Sequence, residues 1–155
     1  HVMTLPKQDH RFEIKDYQPV SYSFRSLQDA FGKACKDHSG PVQNLLEELT
    51  ADDFTSQLES DFGLGWGNRF KKQALRFIPV MLAAGASKGE ALDHLLMSRV
   101  MRQGKVTGRF DVSADAIRNL MGALETFWDK SSLEGLPEKS LELMEKDIKR
   151  KEVGF

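Results

Sequence analysis

Three consecutive apolar runs at helical spacing constrain the fold of this chain more than any other feature. They lie within residues 69–127 and repeat apolar side chains at intervals of three and four residues. Such spacing puts the apolar side chains on one face of a helix, so the runs predict three amphipathic helices with facing stripes. We expect four leucines to be buried where the second and third of these helices pack together: Leu95, Leu96, Leu120 and Leu124.

The remainder of the chain also carries helix signals. Ser26 is placed to cap a helix that ends at Ser39-Gly40. Pro41 then falls in the first turn of a following helix, where proline is tolerated. Thr50 is expected to cap the next helix, and a last one opens at Leu136-Pro137. The sequence therefore predicts an all-α fold, a bundle of about six helices with a short extended N-terminal arm.

The arm comprises residues 1–25, where Pro6 and Pro19 interrupt any helix, and the single helical domain comprises residues 26–155. Two interpretations of the arm stand: it lies over the helices, or it is the tail of a preceding domain. The chain begins with His1 rather than Met, which we interpret as the remnant of a cleaved tag. On that interpretation the chain is a fragment of a longer protein.

Local signals predict where several helices begin and end. Pro79 lies inside an apolar run and predicts a kink or break. Gly85 is expected to end that helix in the left-handed conformation. Ser87 and Glu90 have the spacing of a capping box, and Ser113 is placed to cap a further helix. The charged tail of the last helix, from 146 to 151, is expected to fray into solvent.

Residues 61–68 break the helical pattern, because Gly63, Gly65 and Gly67 alternate with larger apolar residues. In one interpretation this is an interhelix loop whose aromatic side chains fill the core. In the other, its bare backbone approaches a ligand or a neighbouring molecule. The spacing does not match a dinucleotide-binding fingerprint, because no strand precedes it.

Composition narrows the class of protein. The 155 residues suffice for one domain with a hydrophobic core, and 40% of them are hydrophobic. With a net charge of −1, the molecule as a whole does not attract nucleic acid or membranes electrostatically. A lone cysteine, Cys35, fits a reducing compartment. The sequence has neither an apolar run of membrane-spanning length nor a signal pattern in its first residues, so we expect a cytoplasmic protein with no membrane partner.

No sequence motif carries chemistry by itself. The chain lacks a phosphate loop, an HExxH pair, a zinc-binding cysteine pair and a Ser-His-Asp signature. Three histidines follow aspartates, but neighbours on a helix do not face one another, so we interpret these pairs as coincidence. The pairs are Asp9-His10, Asp37-His38 and Asp93-His94. We therefore predict no catalytic residue and no metal site.

Two basic groups remain as candidate binding residues. The first comprises Arg69, Lys71, Lys72 and Arg76, and the second comprises Arg99, Arg102, Lys105 and Arg109. Solvated faces and helix C-termini attract such residues without any ligand. The alternative is that either group contacts phosphates of a nucleotide or of nucleic acid.

Part of the sequence resembles the helical lid of MoxR-type AAA+ ATPases. That lid has a GAS-P-R-A turn, a GR-aromatic connector and a VTPEDV-like helix start, which GASKGEA (85–91), GRFDV (108–112) and SADAI (113–117) resemble in order and spacing. The segments 76–85 and 90–103 are similar to lids of McrB-like restriction and defence ATPases. The likeness covers roughly the middle and C-terminal half, although VMTLP near the start resembles the strand leading out of an ATPase core.

The resemblance implies a lid over residues 68–130 that closes over nucleotide and relays motion between subunits. It implies a parent protein whose N-terminal ATPase core binds ATP or GTP with Mg²⁺, while this chain holds no cofactor and is not an enzyme alone. The lid residues near nucleotide or a neighbouring subunit would be Lys88, Arg99, Arg102 and Arg109. The sequence departs from the family at Gly89, where the lid's sensor arginine is expected, and Lys88 is the nearest substitute.

The alternative is a free-standing helical interaction module. In that case nucleic acid is a possible partner, contacted through Arg69, Lys71, Lys72 and Arg76. On the lid hypothesis the isolated domain is expected to be monomeric and to bind DNA only weakly and non-specifically.

Overall fold

Six helices form the described part of the protein. The computed structural model describes residues 21–154. The helices are α1 (Phe24–Ala51), α2 (Asp53–Phe62), α3 (Asn68–Ala83), α4 (Lys88–Arg99), α5 (Ala114–Lys130) and α6 (Glu138–Val153). Between residues 21 and 154 there is no β-strand, only an isolated bridge between Gln103 and Thr107. The predicted all-α bundle is confirmed, while most of the predicted arm, residues 1–20, lies outside the described residues.

One hydrophobic core joins the six helices. The leucines at 95, 96, 120 and 124 are all buried in it, as predicted. The predicted pairing of their helices is wrong: α4 packs mainly against α3 and α6, and α5 packs mainly against α2 and α6. The helical period identifies the buried face of each helix, but it contains no information about which other helix covers that face.

The predicted break at Gly40 is wrong, because α1 is one continuous helix of 28 residues. Its cap is Ser23 rather than Ser26: the Ser26 backbone N–H donates to Ser23 Oγ at 3.0 Å. Pro41 lies inside the helix and removes one backbone donor there. The apolar stripe nevertheless stays in phase across the proline, from Ala34 to Val42 and on to Leu49, all buried. Burial of that stripe offsets the lost hydrogen bond.

The junction between α1 and α2 also differs from the prediction. Thr50 does not cap a helix, because its Oγ1 donates to the Leu46 carbonyl oxygen at 2.6 Å within α1. The cap of α2 is Asp52, whose carboxylate accepts from the Phe54 backbone N–H at 2.9 Å. A negative charge at this position is stabilised by the exposed N–H groups of the helix start.

Several predicted helix ends agree with the structure. Ser87 and Glu90 form the capping box, with the Ser87 N–H donating to Glu90 Oε2 at 2.8 Å. Ser113 Oγ accepts from the Ala116 N–H at 3.1 Å. Gly85 has a φ of 94°, in the left-handed region that favours glycine.

Helix α3 runs through Pro79 without a break.

Helix α6 does not fray over its charged tail as predicted, because it remains helical to Val153. Asp147 and Ile148 on this last part are buried. The Lys151 side chain also contacts the connector before α5, since its Nζ donates to the Arg109 carbonyl oxygen. The long aliphatic stems of lysine and arginine allow a charged sequence to pack in this way.

Candidate functional site: a groove between four helices

A groove of about 1070 Å³ opens between α1, α3, α4 and α6. Each of these helices contributes apolar side chains to its floor. They are Phe31 from α1, Phe77 and Val80 from α3, Leu95 and Met97 from α4, and Leu143 from α6. All but Leu95 are at least partly accessible. An accessible apolar floor of this size is large enough to receive several side chains of a partner.

Five cationic side chains line the same groove, and we call them the basic rim. They are Arg76 on α3, Arg99 at the end of α4, Arg102 in the following turn, and Lys146 and Arg150 on α6. All five are exposed. The fold thus brings together residues from two basic groups that are separate in the sequence, and adds two from α6. Arg99 and Arg150 lie in the last turns of their helices, where the helix dipole favours positive charge.

The basic rim retains most of its charge. Within residues 21–154, the four arginines of the rim make no ion pair. Lys146 pairs with Glu142 at 2.6 Å, and this hydrogen bond and charge lower the pKa of the Glu142 carboxyl group. No acidic residue between positions 21 and 154 therefore neutralises these four guanidinium groups.

One acidic residue, Asp147, also lines the groove. It is buried, and its Oδ2 lies 3.8 Å from Lys151 Nζ. That oxygen accepts no hydrogen bond within the described part of the chain. Because Lys151 balances the charge of Asp147, the groove is positive overall.

His94 and Cys35 are the other reactive side chains of the groove. The His94 ring stacks on Phe77, with 5.5 Å between ring centroids. Cys35 is half-buried, and its thiol lies 3.9 Å from the Arg76 carbonyl oxygen. The neighbouring Asp93 points to α6, where its carboxylate accepts from the Lys139 and Ser140 backbone N–H groups at 3.0 Å each. Asp93 and His94 therefore form no acid–base pair.

A second cavity of about 390 Å³ adjoins the groove. It shares Arg99 and Arg102 with the groove and adds Arg69 and Lys105. Its wall includes the glycine loop at 63–67. Trp66 in this loop packs 4.5 Å from the Phe70 ring, and its Nε1 donates to Thr55 Oγ1 at 2.6 Å. Trp66 therefore packs on the core, as one interpretation of the loop expects, and the approach of the loop backbone to a ligand or neighbouring molecule stays a prediction.

Arg109 lies away from the groove and binds other parts of the chain. Its Nη1 donates to the Phe62 carbonyl oxygen, the last of α2, at 2.6 Å. Its Nε donates to Asp111 Oδ1 at 3.0 Å. This pair raises the pKa of Arg109, chiefly through the side-chain hydrogen bond, and lowers the pKa of Asp111 to about 2. The guanidinium thus joins α2 to the connector before α5.

Lys88 borders a separate cavity of about 440 Å³, near the turn before α4. The adjacent Gly89 is buried against the loop between α5 and α6. A Cβ at this position would lie 2.2 Å from the Glu134 carbonyl oxygen, so no larger residue fits without movement. Lys71 and Lys72 lie on α3, half-buried and exposed respectively, and do not line either cavity.

Lys146 and Arg150 are not among the candidate binding residues predicted from the sequence. Their spacing of four places both side chains on one face of α6, next to Leu143. The sequence contains this spacing, but a charged helix end also predicts fraying into solvent, which hides the pattern.

No protein-family model, curated protein or solved structure shows a significant match to this chain. Within the described residues there is no group of three or more His, Cys, Asp or Glu side chains placed to hold a metal ion. Among those residues, too, no helix has the length and apolar character needed to cross a membrane.

Proposed function

We propose that this chain is a helical interaction module that binds a segment of a partner protein in the groove. The observation that carries the proposal is the combination of an open apolar floor with the basic rim. Protein interfaces commonly have an apolar centre surrounded by polar and charged groups. Grooves between helices are a recurrent site for short partner segments, which insert apolar side chains and are oriented by charges at the edge.

A protein segment fits this surface better than nucleic acid does. Nucleic-acid binding depends mainly on contacts between cations and phosphates, together with stacking or base-edge contacts. Here the cations line a groove with an aliphatic and aromatic floor, and Phe77 is already stacked on His94. The net charge of −1 also provides little long-range attraction for a polyanion.

Selection of peptides from a random library tests the proposal. We expect the wild-type chain to enrich peptides whose binding is lost on Met97→Asp, which places a charge on the floor of the groove. Leu136→Asp is the matched control, since Leu136 is an exposed apolar residue away from the groove. Circular dichroism checks that both variants fold. The proposal is contradicted if no peptide binds, or if the enriched peptides bind Met97→Asp as well as wild type.

The second candidate is the AAA+ lid implied by the sequence resemblance. It is favoured by the exposed Arg99 and Arg102 at the end of α4, which make no ion pair among the residues described. In an assembled ATPase they would contact nucleotide phosphates or a neighbouring subunit. The parent protein would bind ATP or GTP with Mg²⁺ in its N-terminal core. The tight packing of Gly89 argues against a sensor residue at that position.

The complete reading frame tests the lid proposal. A phosphate loop upstream of this segment would support it, and a frame without one would contradict it. Where a core is present, mixing it with this domain should restore nucleotide hydrolysis, and Arg99→Glu/Arg102→Glu should reduce it.

A further inference from the structure

We propose that the partner segment is an acidic amphipathic helix that lies along α1 and places its carboxylates against the basic rim. This inference rests on the proposed function and specifies the chemistry of the partner. It draws on two further observations: the exposed first part of α1, and the charge balance of the groove.

The first part of α1 projects from the bundle. Every residue from 24 to 33 is exposed, and the helix becomes buried only at Ala34. This part nevertheless carries an apolar stripe of Phe24, Leu27 and Phe31, whose exposed fractions are 76%, 44% and 53%. These positions follow the helical spacing i, i+3 and i+7. Within the described structure, no other element covers this apolar stripe of α1.

The stripe and the groove form one surface, because Phe31 belongs to both. Cys35 is the last residue of α1 that lines the groove. It lies about 16 Å along the helix from Phe24 at the usual rise per residue. Helices pack side by side along such stripes, with apolar side chains of one between those of the other. The surface therefore suits a helical segment of about three to four turns with apolar residues at matching spacing.

The charges define the other face of the partner. The basic rim has five cations, and Lys151 balances the single acidic residue that lines the groove. Complementary charges set the specificity and orientation of a segment that binds here. The partner helix should therefore carry aspartate or glutamate beside its apolar stripe.

The charge of the basic rim and the apolar stripe of α1 also disfavour other occupants of this surface. The projecting part of α1 in a second copy carries Arg25, Asp29 and Lys33, a net positive charge that the basic rim would repel. The N-terminal residues 1–20 contain equal numbers of acidic residues and of lysines and arginines, so they offer no net complementary charge. Nucleic acid could satisfy the rim, but it has no counterpart for the stripe from Phe24 to Phe31.

A set of three peptides tests the inference with the whole chain. The first is a designed amphipathic helix about four turns long with a leucine stripe flanked by glutamates. The second replaces each glutamate with lysine, and the third scrambles the first. Fluorescence anisotropy should show binding of the acidic helix that weakens with salt, and at least about tenfold weaker binding of the other two.

Two double variants locate the binding. Arg76→Glu/Arg150→Glu reverses charge on the rim, whereas Lys72→Glu/Lys149→Glu changes two exposed lysines of the same helices that do not line the groove. Both variants have the same net charge, so long-range attraction changes equally. We expect the rim variant to bind the acidic helix about tenfold or more weakly, and the control variant to differ from wild type by less than about threefold. Phe31→Ala should also weaken binding, which tests the role of α1.

Equal binding of the acidic and scrambled peptides, or equal loss in the two double variants, would overturn the inference. So would micromolar binding of DNA that competes with the acidic helix, or self-association that Phe31→Asp abolishes, since these assign the surface to another occupant. If library peptides bind the groove but lack acidic helical character, this inference fails and the proposed function stands. If no peptide binds the groove, both fail.

Discussion

The region around α5 and the groove differ in the burial of their apolar side chains and in the pairing of their charged ones. On α5, most of the large apolar residues are buried, with Leu120 and Leu124 fully enclosed. Both cations of α5 are paired: Arg118 binds Asp115 and Glu152, and Lys130 lies 3.6 Å from Asp52. At the groove, apolar side chains remain accessible, and the four arginines of the basic rim have no ion-pair partner between residues 21 and 154.

The two regions therefore differ in how much they contribute to the stability of the folded chain. Buried apolar side chains around α5 stabilise the fold, since the hydrophobic effect scales with the area removed from water. The groove contributes less, because its cations repel one another and its apolar residues still contact water. On the proposed function, the charges and apolar groups of the groove bind a partner instead of stabilising the folded chain.

The largest effect should come from truncating the core near α5. Leu120→Ala removes a fully buried side chain and should lower the free energy of unfolding by about 2–5 kcal/mol. The matched change at the groove, Phe31→Ala, removes a larger but exposed side chain and should cost less than about 0.5 kcal/mol. Urea unfolding measures both. Equal losses would show that the two regions do not differ as described.

A smaller effect is expected where α4 binds the start of α6. Pro137, before α6, provides no side-chain cap. The carboxylate of Asp93, on α4, instead accepts from the backbone N–H groups of Lys139 and Ser140. It also accepts from Ser140 Oγ at 2.6 Å. Asp93→Ala leaves these donors without a partner and should cost about 1.5–3 kcal/mol. Asp93→Asn keeps an acceptor oxygen and should cost less; an equal cost in thermal or urea unfolding would exclude hydrogen bonding as the reason.

The basic rim should contribute almost nothing to stability. Arg99→Gln/Arg102→Gln removes two exposed charges without an ion-pair partner in the described structure, and should change the free energy of unfolding by less than about 0.5 kcal/mol. The same variant should weaken binding of the acidic helix. A loss of stability comparable to that of Asp93→Ala would mean that these arginines support the fold rather than a ligand.

The smallest effect concerns acid. The hydrogen bond from Arg109 holds the pKa of Asp111 at about 2, below its ordinary value of 3.8. Because the pKa is lowered on folding, the pair contributes fully above about pH 4 and this contribution is lost as the pH falls towards 2. Urea unfolding over this interval should therefore show a steeper loss of stability for wild type than for Asp111→Asn. Identical slopes would contradict the assigned bond.

Signals contained in a few neighbouring residues predicted some helix starts correctly, while the caps expected at Ser26 and Thr50 are wrong. The capping box at Ser87 and the cap at Ser113 are correct, because each depends on atoms three residues apart in the sequence. The helix end expected at Ser39-Gly40, with a new helix opening at Pro41, is wrong, because the apolar stripe of α1 continues in phase on both sides of these residues. The partners of each helix depend on contacts between distant segments, which periodicity does not encode.

The groove could be predicted only in part. Arg76, Arg99 and Arg102 were candidates from the sequence, but nothing in their spacing showed that α3 and α4 would bring them to one surface. Lys146 and Arg150 are not among those candidates, because a charged helix end also predicts fraying into solvent. Arg109 belonged to the same sequence group as Arg102, yet its bonds to Phe62 and Asp111 give it a structural role. Only the tertiary structure separates cations that hold the fold from those that face a groove.

The most direct test of the central claim is to map a bound acidic helix on the isotope-labelled protein by NMR. The account predicts chemical-shift changes at Phe31, Phe77, Arg99 and Arg150, around the groove and the projecting part of α1, with little change on α5. Changes confined to the α2–α5 face, or to the turn at Lys88 and Gly89, would contradict the assignment of the groove as the binding site.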